Sequence, residues 1–308
     1  MIKPFSTLKR YLGQWTYPLI SVIVAIGILV SVPVPGSAFS LFDLIFQGIQ
    51  VVQLSNLSDR QEVALGGQIN QQLVNREVRL YRNRDVVEYI DEIGQRIAQE
   101  SPRPPGNDFR YTFQVVQDDS INAFATMGGY VYLHTGLIRA ADNEAQLASV
   151  IAHEVGHITE KHALKQMRQM AIAQGLASAA GLSRNVLVGL GVELALRRPN
   201  SRQAEFDTDR VGLVTLGQAG YPQVAMIEFM EKLLSRGGVP TVLSTHPGTQ
   251  DRIAALQSQL DPQLADYGDG TDPTDYQINI QYHFTIGFGF GLHPRLRLQE
   301  RVERPKGD

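Results

Sequence analysis

The sequence predicts an α+β fold, a mostly helical body with a small β-sheet ahead of its longest helical segment. Three observations support this fold class. Apolar and aromatic residues alternate with polar ones from Phe109 to Val115, as they do in a half-buried strand. The segments 121–127 and 130–134 flank Gly128-Gly129 and indicate a hairpin. A helical pattern without proline then begins near Asn143 and continues to about Ala180.

Further helices are predicted before and after this region. Residues 58–61 have the spacing of a capping box, and apolar residues recur at helical intervals over about 85–99. Residues 186–196 are apolar but too few to cross a bilayer. Later helices are expected from Asn200 or Ser201 to Gly220, from Pro222 to Ser235 and from Thr249 to Leu260.

The N-terminus has the pattern of an export signal. Basic residues precede an apolar stretch over 18–34, and the small residues Gly36-Ser37-Ala38 follow it. We expect residues 1–38 to be either a secretory signal peptide or a single membrane anchor, because the apolar stretch is nearly long enough to span a bilayer. Both alternatives place the rest of the chain outside the cytoplasm, in the periplasm or at the outer face of a membrane.

The rest of the chain divides into three predicted parts. Residues 39–57 form a connector, residues 58–262 form the main domain, and residues 263–308 form a C-terminal extension. Within the extension, apolar residues alternate with polar residues or glycine over 276–290, which predicts an amphipathic β segment. We expect this segment to cover part of the core or to offer a docking edge to a partner.

Composition excludes several functional classes. Hydrophobic residues make up 43% of the chain and charged residues 19%, which is ordinary for a globular protein. The net charge of −3 provides no basic excess for nucleic acid, so no nucleic-acid partner is expected. The absence of cysteine excludes disulfides, a cysteine nucleophile and thiolate metal sites.

The motif His153-Glu154-Val155-Gly156-His157 indicates the chemistry. Residues four apart lie on one face of a helix, so both imidazoles can bind one metal ion, and Glu154 is placed beside it as the base for a metal-bound water. The neighbouring residues are apolar, which predicts a buried helix whose polar groups need partners. The alternative is a surface helix that carries two solvated histidines.

A catalytic zinc ion needs a third protein ligand. His162 lies five residues after His157 and is predicted to face away from the metal, as a structural or solvated residue. Glu205 and Asp209 lie four residues apart on a later helix. We expect Glu205 to bind the zinc and Asp209 to orient a ligand imidazole; the alternative is a solvated acidic face.

The chain resembles the metallopeptidases of the HtpX, BepA and CAAX-prenyl-endopeptidase type, metallopeptidase family forty-eight. Four segments carry the resemblance, in the family's order: 121–132, 149–157, 201–209 and 244–253. With at most one predicted span, and too few residues after Leu260 for three stacked repeats, the chain is most similar to the compact exported members.

This resemblance implies a gluzincin-like fold and a zinc-dependent endopeptidase that holds one Zn²⁺ per chain. Its substrates would be polypeptides, among them unfolded or damaged envelope proteins. The segment Asn122-Ala123-Phe124 is expected to form an edge strand, which an extended peptide joins through main-chain hydrogen bonds.

Two catalytic residues are expected near the end of the matched region. His246 either donates to the developing oxyanion, together with Arg252, or binds the zinc and holds the enzyme latent. Two other functions remain open from the sequence. A zinc-bearing but inactive binding module would not need Glu154, and an intramembrane peptidase of the CAAX type would need more spans.

Overall fold

The computed structural model describes residues 57–173, 183–197, 199–235, 241–247 and 249–285. Its elements confirm the α+β fold, with a small sheet ahead of the helix that carries His153 and His157. In chain order they are α1 (Asp59–Gln72), α2 (Arg84–Gln99), β1 (Thr112–Val116), β2 (Ala123–Thr126), β3 (Tyr130–His134), α3 (Thr135–Ala140), α4 (Glu144–Thr159), α5 (His162–Ala173), α6 (Arg184–Arg197), α7 (Arg202–Gln218), α8 (Val224–Ser235), α9 (Thr241–Thr245), α10 (Thr249–Gln259) and α11 (Pro273–Thr285). A π-helical turn, Leu73–Glu77, continues α1.

The first helix begins where its capping box predicts. At the start of α1, the Gln61 backbone N–H donates to the Ser58 hydroxyl at 3.3 Å, and the Ser58 N–H donates to the Gln61 side chain at 3.1 Å. The apolar face of α2 is buried against β1, where Gly94 lies against the ring of Phe113. The core therefore begins between α2 and the sheet.

The described strands form a three-stranded sheet in the order β1-β3-β2. β1 pairs with β3 in parallel, and β2 pairs with β3 in antiparallel register. The predicted hairpin is thus confirmed. Gly128 and Gly129 turn the chain between its strands with φ angles of 79° and 93°, a region that favours glycine. This order leaves β2 at one edge of the sheet.

Close packing of α4 on α7 brings the sequence-distant site residues together. A methyl group added at Gly156 of α4 would lie 3.0 Å from the Thr208 carbonyl oxygen of α7. A methyl group added at Gly212 of α7 would lie 3.2 Å from the Ala152 carbonyl oxygen. Glycine at both positions lets the two backbones approach, so short polar side chains from one helix reach those of the other.

The long helical segment is not continuous, which corrects the sequence prediction. α4 ends at Thr159, and α5 begins at His162. Lys161 between them has a φ of 54°, a left-handed conformation that no α-helix continues through. The Lys161 ammonium lies 3.4 Å from the buried Glu62 carboxylate of α1, which holds the break in place. Residues 174–180 of the predicted helix lie outside the described residues.

The predicted β segment over 276–290 is wrong for the part that the structure describes. Residues up to Thr285 belong to α11, and residues 286–290 lie outside the described range. Pro273 occupies the first helical position, where its missing N–H costs nothing, and the Thr274 N–H donates to the Asp272 carboxylate. Tyr276 and Ile280, four residues apart, form the buried side of this helix.

The predicted signal or anchor over 1–38 and the connector up to residue 56 lie outside the described residues. Within the described ranges, no helix is both long and apolar enough to cross a membrane.

Candidate metal centre

Four ligand-bearing side chains from three parts of the chain meet in the interior. His153 and His157 come from α4, Glu205 comes from the first turn of α7, and His246 directly follows α9. All four are buried, and one nitrogen or oxygen atom from each lies within 4.8 Å of the others. The predicted ligands are therefore brought together with His246. These four side chains form the metal group.

The short contacts in this group fit a bound cation. His153 Nε2 lies 3.2 Å from His157 Nε2 and 3.1 Å from His246 Nδ1. The Glu205 oxygens lie 3.4 Å and 3.5 Å from the Nε2 atoms of His153 and His157. Lone pairs of imidazole and carboxylate thus point into one small, buried volume. A metal ion is the partner that satisfies such a set, and two imidazoles with a carboxylate suit Zn²⁺.

The pKa values of the two α4 histidines shift in opposite directions, and the shift of His153 shows a preference for positive charge at the site. Burial opposes protonation of His153, but hydrogen bonds to Asp209 and Glu205 raise its pKa to about 9. Burial lowers the pKa of His157 to about 3, so this ring is neutral and offers a lone pair. The buried carboxylates therefore favour a cation among these side chains.

Asp209 and Arg252 contact the metal ligands His153 and Glu205 and fix their orientation. His153 Nδ1 lies 2.9 Å from an Asp209 oxygen, which fixes the orientation of that ring. The Arg252 guanidinium donates to both Asp209 oxygens, at 2.6 Å and 2.7 Å, and its third nitrogen lies 2.8 Å from Glu205. Burial raises the pKa of the Asp209 carboxyl, but the hydrogen bonds from Arg252 and His153 outweigh it and lower that pKa overall.

Glu154 lies beside the four ligand-bearing side chains and is almost completely buried. One of its oxygens lies 3.5 Å from His246 Nε2, and the other, Oε2, has no hydrogen-bond partner among the described residues. Burial raises the pKa of this carboxyl, against the opposing charges of His246 and His153. An unpartnered buried oxygen next to a metal group is available to accept a proton.

His162 is not one of the four clustered side chains, and its burial favours the structural alternative over the solvated one. It is buried, and its Nδ1 lies 2.9 Å from His157 Nδ1. The hydroxyl of Thr208 lies 3.2 Å from the same atom of each ring. The helix break at Lys161 changes the direction of the chain, so counting along an unbroken helix does not predict this contact with His157.

The predicted peptide-binding segment also lies at the site. The Asn122 side-chain oxygen accepts a hydrogen bond from the Thr245 hydroxyl at 3.4 Å, one residue before His246. Ala123 and Phe124 are buried in β2. A recess of about 730 Å³, including its open mouth, extends from Phe124 to His157 and His246, and both Glu154 and Lys161 also line it. It connects the edge strand with the metal group.

Residues 85–260, which include the sheet, the metal group and Arg252, match the sequence model of peptidase family M48. A putative beta-barrel assembly-enhancing protease of Vibrio cholerae is 34% identical over 214 residues, which are 60% of this chain and 43% of that protein. The beta-barrel assembly-enhancing protease of Escherichia coli K12 is 33% identical over 224 residues, which are 67% of this chain and 45% of that protein.

A mitochondrial metalloendopeptidase of Arabidopsis thaliana, OMA1, is 36% identical over 148 residues, which are 46% of this chain and 30% of that protein. The chain thus spans less than half the length of these three relatives. The match nevertheless covers more than half of this chain and contains the complete His-His-Glu group. The protein belongs to peptidase family M48 and is a metallopeptidase whose buried metal-binding group contains His153, His157 and Glu205.

Proposed function

We propose that this metallopeptidase is a zinc-dependent endopeptidase that hydrolyses peptide bonds of unfolded or damaged envelope proteins. The observation that carries the proposal is the buried, unpartnered Oε2 atom of Glu154 beside the His-His-Glu group. Peptide hydrolysis of this type needs both features, a set of ligands that holds a cation and a neighbouring carboxylate that is free to accept a proton.

In this proposal His153, His157 and Glu205 hold one zinc ion per chain. Three protein ligands leave the metal a position for substrate, as catalytic zinc sites require. When bound, zinc polarises the scissile carbonyl and makes water acidic enough to react near neutral pH. Glu154 accepts the proton at Oε2, where burial raises its pKa and favours the protonated form, and then gives the proton to the leaving amine.

His246 has two candidate roles, and its position favours latency. Its Nδ1 lies 3.2 Å from both Glu205 oxygens and 3.1 Å from His153 Nε2, among the ligand atoms themselves. A ring at this position occupies the place that a substrate carbonyl needs. If the ring swings outward, the same side chain becomes a donor for the oxyanion. The three nitrogens of Arg252 are engaged with Asp209 and Glu205, which favours a positioning role for it over direct contact with the oxyanion.

The substrate main chain is proposed to pair with β2. The His134 N–H donates to the Asn122 carbonyl oxygen at 3.0 Å, so the backbone of Asn122 faces β3. Hydrogen-bonding direction alternates along a strand, so the N–H and C=O groups of Ala123 and Ala125 face away from β3. A peptide that joins this edge is held by its backbone, which suits unfolded chains of varied sequence.

The proposed compartment is extracytoplasmic. The basic and apolar pattern of residues 1–38 supports export by a signal peptide or by an anchor over 18–34. The names of the bacterial relatives connect those proteases with β-barrel assembly. We extend this to the present chain as the proposal that its substrates are envelope polypeptides that have failed to fold.

The test is cleavage of an unfolded protein by the full zinc-loaded chain. Casein is incubated with the wild-type chain and with Glu154→Gln, and zinc content is measured in both. We expect cleavage only by the wild type and about one zinc ion per chain in both, because Glu154 is a base and not a ligand. Substantial cleavage by zinc-loaded Glu154→Gln would refute the assigned base. Zinc binding without cleavage by either protein would favour a binding module.

A further inference from the structure

A second recess adjoins the metal group nearer the start of α4, where Ser149, Val150 and His153 line it. Glu154 and His246 line both recesses, whereas His153 lines this one and His157 the other. The second recess encloses about 430 Å³ including its open mouth. Because the proposed base Glu154 and His246 line both recesses, a peptide bound beside these two residues can place a side chain in either recess.

One wall of the second recess is apolar. It is formed by one face of α8 and by the short helix α9: Met226, Phe229, Met230 and Leu233, with Val242 and Leu243. The four α8 residues follow one another at intervals of three, one and three, so they form a continuous stripe along one side of that helix. Two of the four are methionines, whose unbranched side chains adapt to guests of different shape.

The one arginine that lines this recess is not available to a charged guest. The Arg252 guanidinium donates to both oxygens of Asp209, lies against Glu205 and donates to the His246 carbonyl oxygen. An acidic side chain placed here would therefore lose its water without gaining a free cation. An apolar side chain has no such hydration to lose and would gain contact with the α8 stripe.

We propose that this recess is the specificity subsite of the peptidase, and that it takes a large apolar side chain from the residue directly adjoining the scissile bond. The inference rests on the proposed endopeptidase function. The main chain is held at β2 without regard to side chains, and this recess adds a preference for leucine, methionine or phenylalanine at one position. Met230 is the residue of the stripe best placed to set that preference, since it is only partly buried.

The first test compares cleavage sites. Full zinc-loaded wild-type chain, Met230→Lys and Leu234→Lys digest one unfolded protein, and the new termini are identified by mass spectrometry. Leu234 lies four residues after Met230 on α8, is 40% exposed and lies outside the recess, so it controls for added charge. We expect wild type and Leu234→Lys to cut next to large apolar residues. Met230→Lys should cut at such sites at least tenfold more slowly and gain cuts next to aspartate or glutamate.

A second measurement does not depend on turnover. Zinc-loaded Glu154→Gln protein with ¹³C-labelled methionine methyl groups is titrated with N-acetyl-leucine amide and, separately, with N-acetyl-aspartate amide. We expect the Met226 and Met230 signals to shift with the leucine probe only, while Met170 of α5, which lines neither recess, stays in place.

The outcomes separate the two hypotheses. Cleavage without an apolar preference, or an identical set of cuts by Met230→Lys, would overturn the subsite and leave the endopeptidase function standing. Absence of any cleavage by the wild type would count against the endopeptidase function, and the methionine titration would then decide on the recess. No shift of Met226 or Met230 with the leucine probe would overturn the subsite.

Discussion

Arg252 connects the metal ligands of two helices to the segment that carries His246. Its guanidinium makes two nearly parallel hydrogen bonds to Asp209, and its remaining nitrogen reaches both Glu205 and the His246 carbonyl oxygen. Planar guanidinium matches carboxylate in this bidentate way, whereas a lysine ammonium does not. The orientation of His153 therefore depends on Arg252 through Asp209.

Arg252→Lys should lower zinc affinity by roughly 10- to 100-fold, the usual effect of losing a partner that orients a metal ligand. The lysine keeps the positive charge but cannot hold both Asp209 oxygens. Affinity is measured by competition with a chromophoric chelator, and Arg210→Lys, on the exposed side of α7, is the control. Equal affinities for the two variants would show that Asp209 orients His153 without help.

For single residues, the sequence predicts a contact only where the contact depends on regular local geometry. The spacing of four residues places His153 with His157, and Glu205 with Asp209, because it depends only on the pitch of a helix. The contact between His162 and His157 could not be predicted in this way, because it depends on the left-handed conformation of a single lysine. Such a residue carries no signal of its own, and an ion pair to α1 holds it in place.

At the scale of elements, α1 supports the hairpin that carries the edge strand. Gly66 of α1 lies against the hairpin turn, where an added methyl group would overlap the Met127 carbonyl oxygen and lie 2.8 Å from Gly128 Cα. The buried Glu62 carboxylate of α1 accepts a hydrogen bond from the Gly128 N–H at 3.3 Å and pairs with Arg103 at 2.9 Å. The position of β2 relative to the site thus depends on a helix far away in sequence.

Gly66→Ala should destabilise the protein by about 2 kcal/mol, since overpacking against backbone atoms cannot be relieved by a change of rotamer. The neighbouring Gly67→Ala is the matched control, because its added methyl group would meet only the Tyr130 hydroxyl, at 3.7 Å. Alanine there should be neutral or stabilise the helix by up to about 1 kcal/mol. Denaturant unfolding of both variants gives the comparison, and similar losses of stability would contradict the close approach.

The helix α11 shows why a sequence pattern can predict the wrong type of secondary structure. Apolar residues two apart over 276–290 predict a strand, but residues four apart satisfy the same alternation and also share a helix face. Two tertiary contacts of Tyr276 favour the helix, a hydrogen bond of 2.6 Å from its hydroxyl to the Ile138 carbonyl oxygen and packing against the Tyr89 ring. Neither contact can be read from the segment itself. By contrast, the hairpin and α1 were predictable because glycine and the capping box act locally.

At the scale of the whole molecule, the metal group joins elements that lie far apart in the chain. α4, α7 and the residue after α9 each contribute to it, and α10 contributes Arg252. A ligand that binds only the folded arrangement stabilises it by mass action. Zinc should therefore stabilise the whole M48 domain rather than one local turn.

Removal of metal should lower the melting temperature markedly. Free zinc at a thousand times its Kd contributes about 4 kcal/mol, which corresponds to roughly 8–16 °C for a domain of this size. The melting temperature is measured with zinc and with excess chelator. Glu205→Ala should show almost no difference between the two conditions, whereas Glu231→Ala, at an exposed position of α8, should behave like the wild type. An equal difference in both variants would exclude Glu205 as a ligand.

The wide separation of the ligands along the chain also determines when the metal-binding site can form. His157 and Glu205 are joined by a long stretch of chain, and His246 follows only after another helix pair, so no short segment holds the complete set of ligands. Closing such loops costs entropy that only the packed helices repay. The full set of ligands is therefore present only when the helices that carry it have packed. Under the proposed function, a chain that has not yet folded accordingly lacks the three-ligand site that hydrolysis requires.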